Sequence, residues 1–179
     1  LLFTDIAGST AMYETIGNAA AYKAVRDHFD LLFGLVEAHG GFVVKTIGDA
    51  VMASFRNNDD ALGCALDAQH SFETLNADCA NESGIRVKFG IHRGPAILVN
   101  LNGRMDYFGS TVNKAARIQN TALPNELVFS IEARHNSSVA DALLLQKNVN
   151  VREEHISLKG IEFAQTVFRT SKCGTASAP

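Results

Sequence analysis

The chain has 179 residues, 46% of them apolar, and a formal net charge of −3. That length suits one domain with its own core and is too short for two. The charge supplies no basic field that would draw the chain onto nucleic acid or an anionic membrane, and the apolar runs are interrupted by charge well short of the roughly 18 residues that read as a membrane span.

In chain order, residues 1–6 read as a short apolar strand, and Gly8-Ser9-Thr10 as a turn and the cap region of a helix. Over residues 18–39, Tyr22, Val25, Phe29, Leu32 and Val36 recur at steps of three and four. That spacing predicts an amphipathic helix, closed by Gly40-Gly41. Residues 42–47 and 50–55 are two strands joined by Gly48-Asp49, a hairpin signal. Residues 59–79 predict a second helix with Ala61, Ala65, Ala68, Phe72 and Leu75 on its buried face. Residues 86–92 alternate as a strand, with Val87, Phe89 and Ile91 inward and Arg86, Lys88 and His92 outward. A strand at 96–101, a turn at Asn102-Gly103, a strand to Phe108 and a helix at 111–120 come next, then short strands near 127–129, 156–158 and 166–169.

This order predicts an α+β domain with a ferredoxin-like split βαβ core (βαββαβ) and a C-terminal strand and helix extension. Residues 1–170 are expected to form that domain without an internal repeat or linker, and 171–179 a small, polar, flexible tail. No signal peptide is visible. The start inside a strand at Leu1 carries the expectation of a longer parent protein, soluble or membrane-tethered, with its regulatory domain elsewhere. Cys64, Cys79 and Cys173 are odd in number and lack CxxC spacing, so reduced intracellular thiols and a cytoplasmic domain are expected. The histidines (His28, His39, His70, His92, His135, His155) form no ligand pair at helical spacing and read as surface or capping residues.

The split βαβ order also makes a geometric prediction. Its first and third strands are antiparallel neighbours, so Asp5, ending the first, and Asp49, starting the third, should face one pocket. Taken singly, each reads first as a cap or turn aspartate. Taken together, they repel unless something positive lies between them, and Mg²⁺ favours one or two carboxylates completed by substrate phosphate oxygens. The backbone amides of residues 5–10 suit an anion at a helix start. Asn113 and Arg117 are four apart on a predicted helix and share a face, where an amide and a guanidinium can hold a sugar oxygen and a phosphoryl oxygen. Lys114 points elsewhere and reads as solvated.

Four segments then fall into a pattern: Phe3-Thr4-Asp5-Ile6-Ala7-Gly8-Ser9-Thr10, residues 45–55, residues 106–117 and Leu158-Lys159-Gly160. In this order and at these distances they resemble the motifs of the class III adenylyl/guanylyl cyclase catalytic domain, of the bacterial-type, homodimeric adenylate cyclases. The resemblance implies the class III nucleotidyl cyclase fold and a site for two Mg²⁺ or Mn²⁺ ions held by Asp5, Asp49 and the Ile6 carbonyl. By the same resemblance Gly8, Ser9 and Thr10 would lie under the triphosphate, Asn113 would orient the ribose, Arg117 would stabilise charge on the α-phosphate, and Lys159 would bind the terminal phosphates. Lys45 and Asp106 fall at the base-reading positions, where guanylyl cyclases typically carry glutamate and a small residue such as cysteine. A lysine donor suits adenine N1 and a carboxylate acceptor suits its N6 amino group, which points to ATP.

The implied reaction is intramolecular attack of the ribose 3′-oxygen on the α-phosphate, giving cyclic AMP and pyrophosphate. The resemblance further implies a homodimer with two composite sites, the metal aspartates from one subunit and the remaining residues from the other. A guanylate or dual-specificity cyclase and a non-catalytic nucleotide-sensing dimerisation module are the alternatives. A polymerase-like nucleotidyltransferase would need a surface for a nucleic-acid strand, which this charge pattern does not offer.

Overall fold

The computed structural model of the chain describes residues 1–78, 84–146 and 149–172. In order these form β1 (Leu2–Ile6), α1 (Ser9–Ala38), β2 (Phe42–Ile47), β3 (Ala50–Ser54), α2 (Asn58–Asp78), β4 (Val87–Ile91), β5 (Ile97–Leu101) and β6 (Arg104–Phe108). Then come α3 (Ser110–Asn120), β7 (Leu127–Ser130), α4 (Ile131–Arg134), α5 (Ser138–Leu145), β8 (Val149–Ile156) and β9 (Gln165–Lys172). Among the described residues, seven strands make one sheet in the order β2-β3-β1-β4-β7-β9-β8. Its first four strands, antiparallel throughout, are the split βαβ core expected from the sequence. β7 then joins β4 in parallel, and β9 and β8 extend the sheet antiparallel.

Two layers of side chains sandwich this sheet. On one face Leu2, Val51, Ala53, Val87, Phe89 and Ile91 pack against α1 and α2 through Leu32, Val36, Leu62, Ala65, Ala68 and Phe72. On the other, Phe3 and Met52 meet Ala115 of α3, with Val112 and Tyr107 alongside. The face of β4 read as outward is therefore covered at Gly90 and His92 and half-covered at Lys88, while Arg86 is exposed as expected. A Cβ on Gly90 would lie 2.4 Å from the Cα of Gln119 in α3. His92 is buried, with its Nδ1 2.8 Å from the Ser130 hydroxyl.

Several local expectations need correction. The stripe that α1 buries is Ala21, Val25, His28, Leu32 and Val36, not one through Tyr22 and Phe29. Tyr22 is 63% exposed, and Phe29 is only partly covered. A reading by apolarity passes over the polar ring at position 28 and takes its neighbours instead. His28 and His92, read as surface residues, are both buried. α1 also starts earlier than expected, at Ser9, with a break at Gly17 (φ 79°, ψ 162°), a conformation open to glycine. Leu75 stands out of the α2 stripe and is exposed.

The strand expected at 156–158 is the longer β8, which ends at Ile156, and Leu158 is buried beyond it. Ser171 and Lys172, expected to begin a tail, are the last residues of β9. The remainder of that expected tail and Cys79 and Cys173 lie outside the described residues. Cys64 is a buried thiol whose pKa burial pushes up to about 12.

Candidate functional site

The turn between β2 and β3 is two residues long, with Ile47 paired to Ala50 and Gly48 at φ 63°. This tight turn suspends Asp49 beside the end of β1, because β1 and β3 pair antiparallel with Thr4 opposite Val51. The Ile6 backbone N–H donates to Asp49 Oδ2 at 3.3 Å. Asp5 lies on the β1 face it shares with Phe3, and its carboxyl pKa is raised by partial burial and then by the charge of Asp49. Lys88, directly opposite Asp5 on β4, pulls in the other direction. Asp5 and Asp49 thus converge as the strand order predicts. No group of three or more His, Cys, Asp or Glu suited to a metal occurs among the described residues. The pair therefore supplies hard oxygen donors but not a closed cage, a donor set that fits Mg²⁺ or Mn²⁺ completed by a ligand's own oxygens.

Lys45 on β2 and Asp106 on β6 are joined, Nζ to Oδ2, at 2.6 Å. The Lys45 hydrogen bond is the main cause holding the Asp106 carboxyl below the usual range, and the Tyr107 N–H, 2.8 Å from Oδ1, adds to it. On α3 the Asn113 side chain is exposed and Arg117 follows one turn later. A Cβ on Gly160 would lie 3.4 Å from Arg117 Nη1, so the Lys159-Gly160 turn rests against the guanidinium. Among the described residues Arg117 has no carboxylate partner, and Lys159 is exposed. Gly8, at φ 74°, caps α1, and Ser9 and Thr10 open its first turn.

The structure therefore brings together two of the expected groupings, Asp5 with Asp49 and Ile6, and Lys45 with Asp106, and it also rests the Lys159-Gly160 turn against Arg117, a contact the sequence did not foretell. Lys114 is not solvated as expected. It pairs with Glu132 at 3.0 Å beside buried His92. Sequence reasoning missed Lys88, although strict alternation on β4 puts it on the face of Asp5.

Over residues 1–169 the chain matches the family model of the adenylate and guanylate cyclase catalytic domain, and it belongs to that family. It is 30% identical to an adenylate cyclase of Anabaena cylindrica, over 88% of this chain and 35% of that protein. It is 28% identical to guanylate cyclase 2G of Rattus norvegicus, over 98% of this chain and 16% of that protein. Both relatives are thus much longer than the segment they share with it. The solved structure of an adenylyl cyclase from P. aeruginosa has the same fold, with a TM-score of 0.78 at 20% identity, covering 96% of this chain and 92% of that one. No helix among the described residues is long and apolar enough to cross a membrane.

Proposed function

We propose that this chain is the catalytic domain of an adenylate cyclase, converting ATP to 3′,5′-cyclic AMP and pyrophosphate. The observation that carries the reading is the convergence of Asp5 and Asp49 at one end of the sheet, a pair whose repulsion a divalent cation would relieve. Asp5, Asp49 and the Ile6 carbonyl would hold two Mg²⁺ or Mn²⁺ ions. Bound there, the cations would acidify the ribose 3′-hydroxyl and neutralise the leaving pyrophosphate.

The chain's own residues supply binding and orientation. Gly8, Ser9 and Thr10 offer backbone and hydroxyl groups to the triphosphate at a helix start. Asn113 holds the ribose so that its 3′-oxygen lies in line with the α-phosphorus. The new bond forms from that oxygen to phosphorus as the bond to the pyrophosphate oxygen breaks, and the hydroxyl proton leaves to water. Arg117 stabilises the charge that develops on the α-phosphate, and Lys159 holds the terminal phosphates.

Lys45 and Asp106, side by side, present a donor and an acceptor that match adenine N1 and N6. Guanine reverses that order and would leave buried polar groups unpaired. Likeness to a guanylate cyclase favours the second reading, a guanylate or dual-specificity enzyme. A non-catalytic sensing module would be expected to lack one of Asp5, Asp49, Asn113 or Arg117, and the chain has all four.

That one chain carries both sets of residues supports a homodimer with shared sites. The exposed apolar side chains of the β5–β6 hairpin, Ile97, Leu98, Leu101 and Phe108, are suited to such an interface. The test is a cyclic-nucleotide assay of the chain with Mn²⁺ and either ATP or GTP, at several protein concentrations. Cyclic AMP with specific activity rising with concentration is expected. GTP turnover well above ATP would overturn the base assignment, and no turnover at any concentration would overturn catalysis.

A further inference from the structure

Asn113 and Arg117 stand on α3, and among the described residues no side chain pairs with either. Where they face therefore depends on how α3 itself is held. Its second half is keyed in place: Ile118 is buried with Val128, Leu158 and Val167, and the Thr121 carbonyl accepts from Arg169 Nη1 at 2.9 Å. Its first half rests on Thr111 and Ala115, both small. Small side chains bring a helix close to a sheet but interlock little with it.

One long side chain reaches out from that first half. At about 100° per residue, Lys114 lies between the buried stripe of α3 and the stripe of Asn113 and Arg117. Its Nζ donates to Glu132 Oε1 on α4 at 3.0 Å, with only 17% of the lysine side chain exposed. Glu132 is a fixed point. The Ser130 hydroxyl caps α4 by accepting from the Ala133 N–H, and Asn58 of α2 donates to the Glu132 and His135 carbonyls at 3.3 and 2.9 Å. Partial burial pushes the Glu132 carboxyl up, but its hydrogen bonds, that from Lys114 foremost, outweigh this and hold it below the ordinary range. His92 Nδ1 also lies 3.5 Å from Glu132, yet burial takes that ring down to about 4, so it is neutral at physiological pH. Lys114 is thus the one charged partner that Glu132 has among the described residues.

We propose that Lys114 is a positioning residue for the reaction: its ion pair with Glu132 fixes the rotation of α3 about its own axis, and so the direction in which Asn113 and Arg117 meet the ribose and the α-phosphate. This rests on the catalytic reading above. Lys114 does not itself touch substrate. Its loss should be felt in the chemical step, where a displacement of about 1 Å costs about 100-fold, and not in ATP affinity, to which the base contacts of Lys45 and Asp106 contribute from other elements.

The test is steady-state kinetics of the whole chain with Mn²⁺ and ATP, at protein concentrations where specific activity no longer rises. Lys114→Met, which keeps the stem and removes the charge, should lower kcat roughly 10- to 100-fold with KM for ATP close to that of wild type. Lys114→Arg, which keeps the charge, should recover most of kcat. Lys114→Met combined with Glu132→Ala should lose no more than the worse of the two alone, since both cut one contact. Asp59→Ala, which frees Ser137 and Ser138 from α2 without touching α3, should melt lower than wild type and keep its kcat.

Wild-type kcat in Lys114→Met, or losses that add in the double variant, overturns the proposal and leaves the catalytic reading standing. An equal loss of kcat in Asp59→Ala also overturns it, by making the effect one of stability. No turnover by the wild type overturns the catalytic reading and the proposal with it. Should Lys114→Met not fold, Glu132→Ala decides by the same split, its side chain being 43% exposed, and an unchanged kcat there overturns the proposal.

Discussion

Lys45 Nζ and Asp106 Oδ2 lie 2.6 Å apart and tie the edge strand β2 to strand β6 of the separate hairpin. The contact puts a donor and an acceptor side by side. Exchanging both, Lys45→Glu with Asp106→Cys, is expected to lower the ratio of cyclic AMP to cyclic GMP by about 100-fold or more. Chromatography of the products from equal ATP and GTP checks it, and an unchanged ratio removes these residues from base choice.

Asp5 gives a prediction about stability. Its raised carboxyl pKa means that the folded chain keeps this proton longer than the unfolded chain does. Stability therefore falls as pH climbs from 3.8, the ordinary value, through the raised one, and the loss persists at neutral pH. Asp5→Asn should melt higher than wild type in metal-free buffer at pH 7, by about 2–4 °C for each kcal/mol relieved, and should lose the stabilisation that Mn²⁺ confers. Melting curves with EDTA and with Mn²⁺ check both halves, and a lower metal-free melting temperature contradicts the strain on Asp5.

Shared sites make a prediction of their own. Asp5→Ala and Arg117→Ala should each be inactive alone, because every site then lacks a metal ligand or the guanidinium. Mixed, they should regain up to about a quarter of wild-type activity, since random pairing gives half mixed dimers with one intact site of two. Activity measured across mixing ratios should peak near equal amounts, and a flat zero line argues for sites built within one chain.

The approach of α3 to β4 rests on Gly90, where a Cβ would meet backbone rather than a movable side-chain end. Gly90→Ala should therefore cost about 1–3 kcal/mol, and activity should fall with it because α3 carries Asn113 and Arg117. Urea denaturation measures the first effect. Wild-type stability would show that the helix can shift freely.

How much of this was legible beforehand depends on the range of the interactions. Strand alternation and the Gly48-Asp49 turn are local, and with the strand order they foretold that Asp5 and Asp49 meet. The Lys45–Asp106 contact was not foreseeable from pattern alone, because it joins residues 61 apart through the docking of one hairpin on a sheet edge. α4 and α5 were missed because helices of four and eight residues are too short to show a period. Their only markers are the capping hydroxyls of Ser130 and Ser137. His28 and His92 were misplaced because polarity alone sends both outward, whereas His28 is buried against the rings of Phe29 and Phe72 and His92 against the Ser130 hydroxyl.

The break at Gly17 divides α1 into parts that answer to different demands. Residues 18–38 hold every buried position of the helix, whereas residues 9–16 hold none. Substitutions in the later part are felt by the whole fold, through its hold on the sheet. Those in the first two turns change only the surface beside Gly8, Ser9 and Thr10. The end of the helix that would face a bound triphosphate under the proposed function is in this sense mechanically insulated from the core. Its amides should exchange with deuterium by local opening, well before those of Val25 or Leu32.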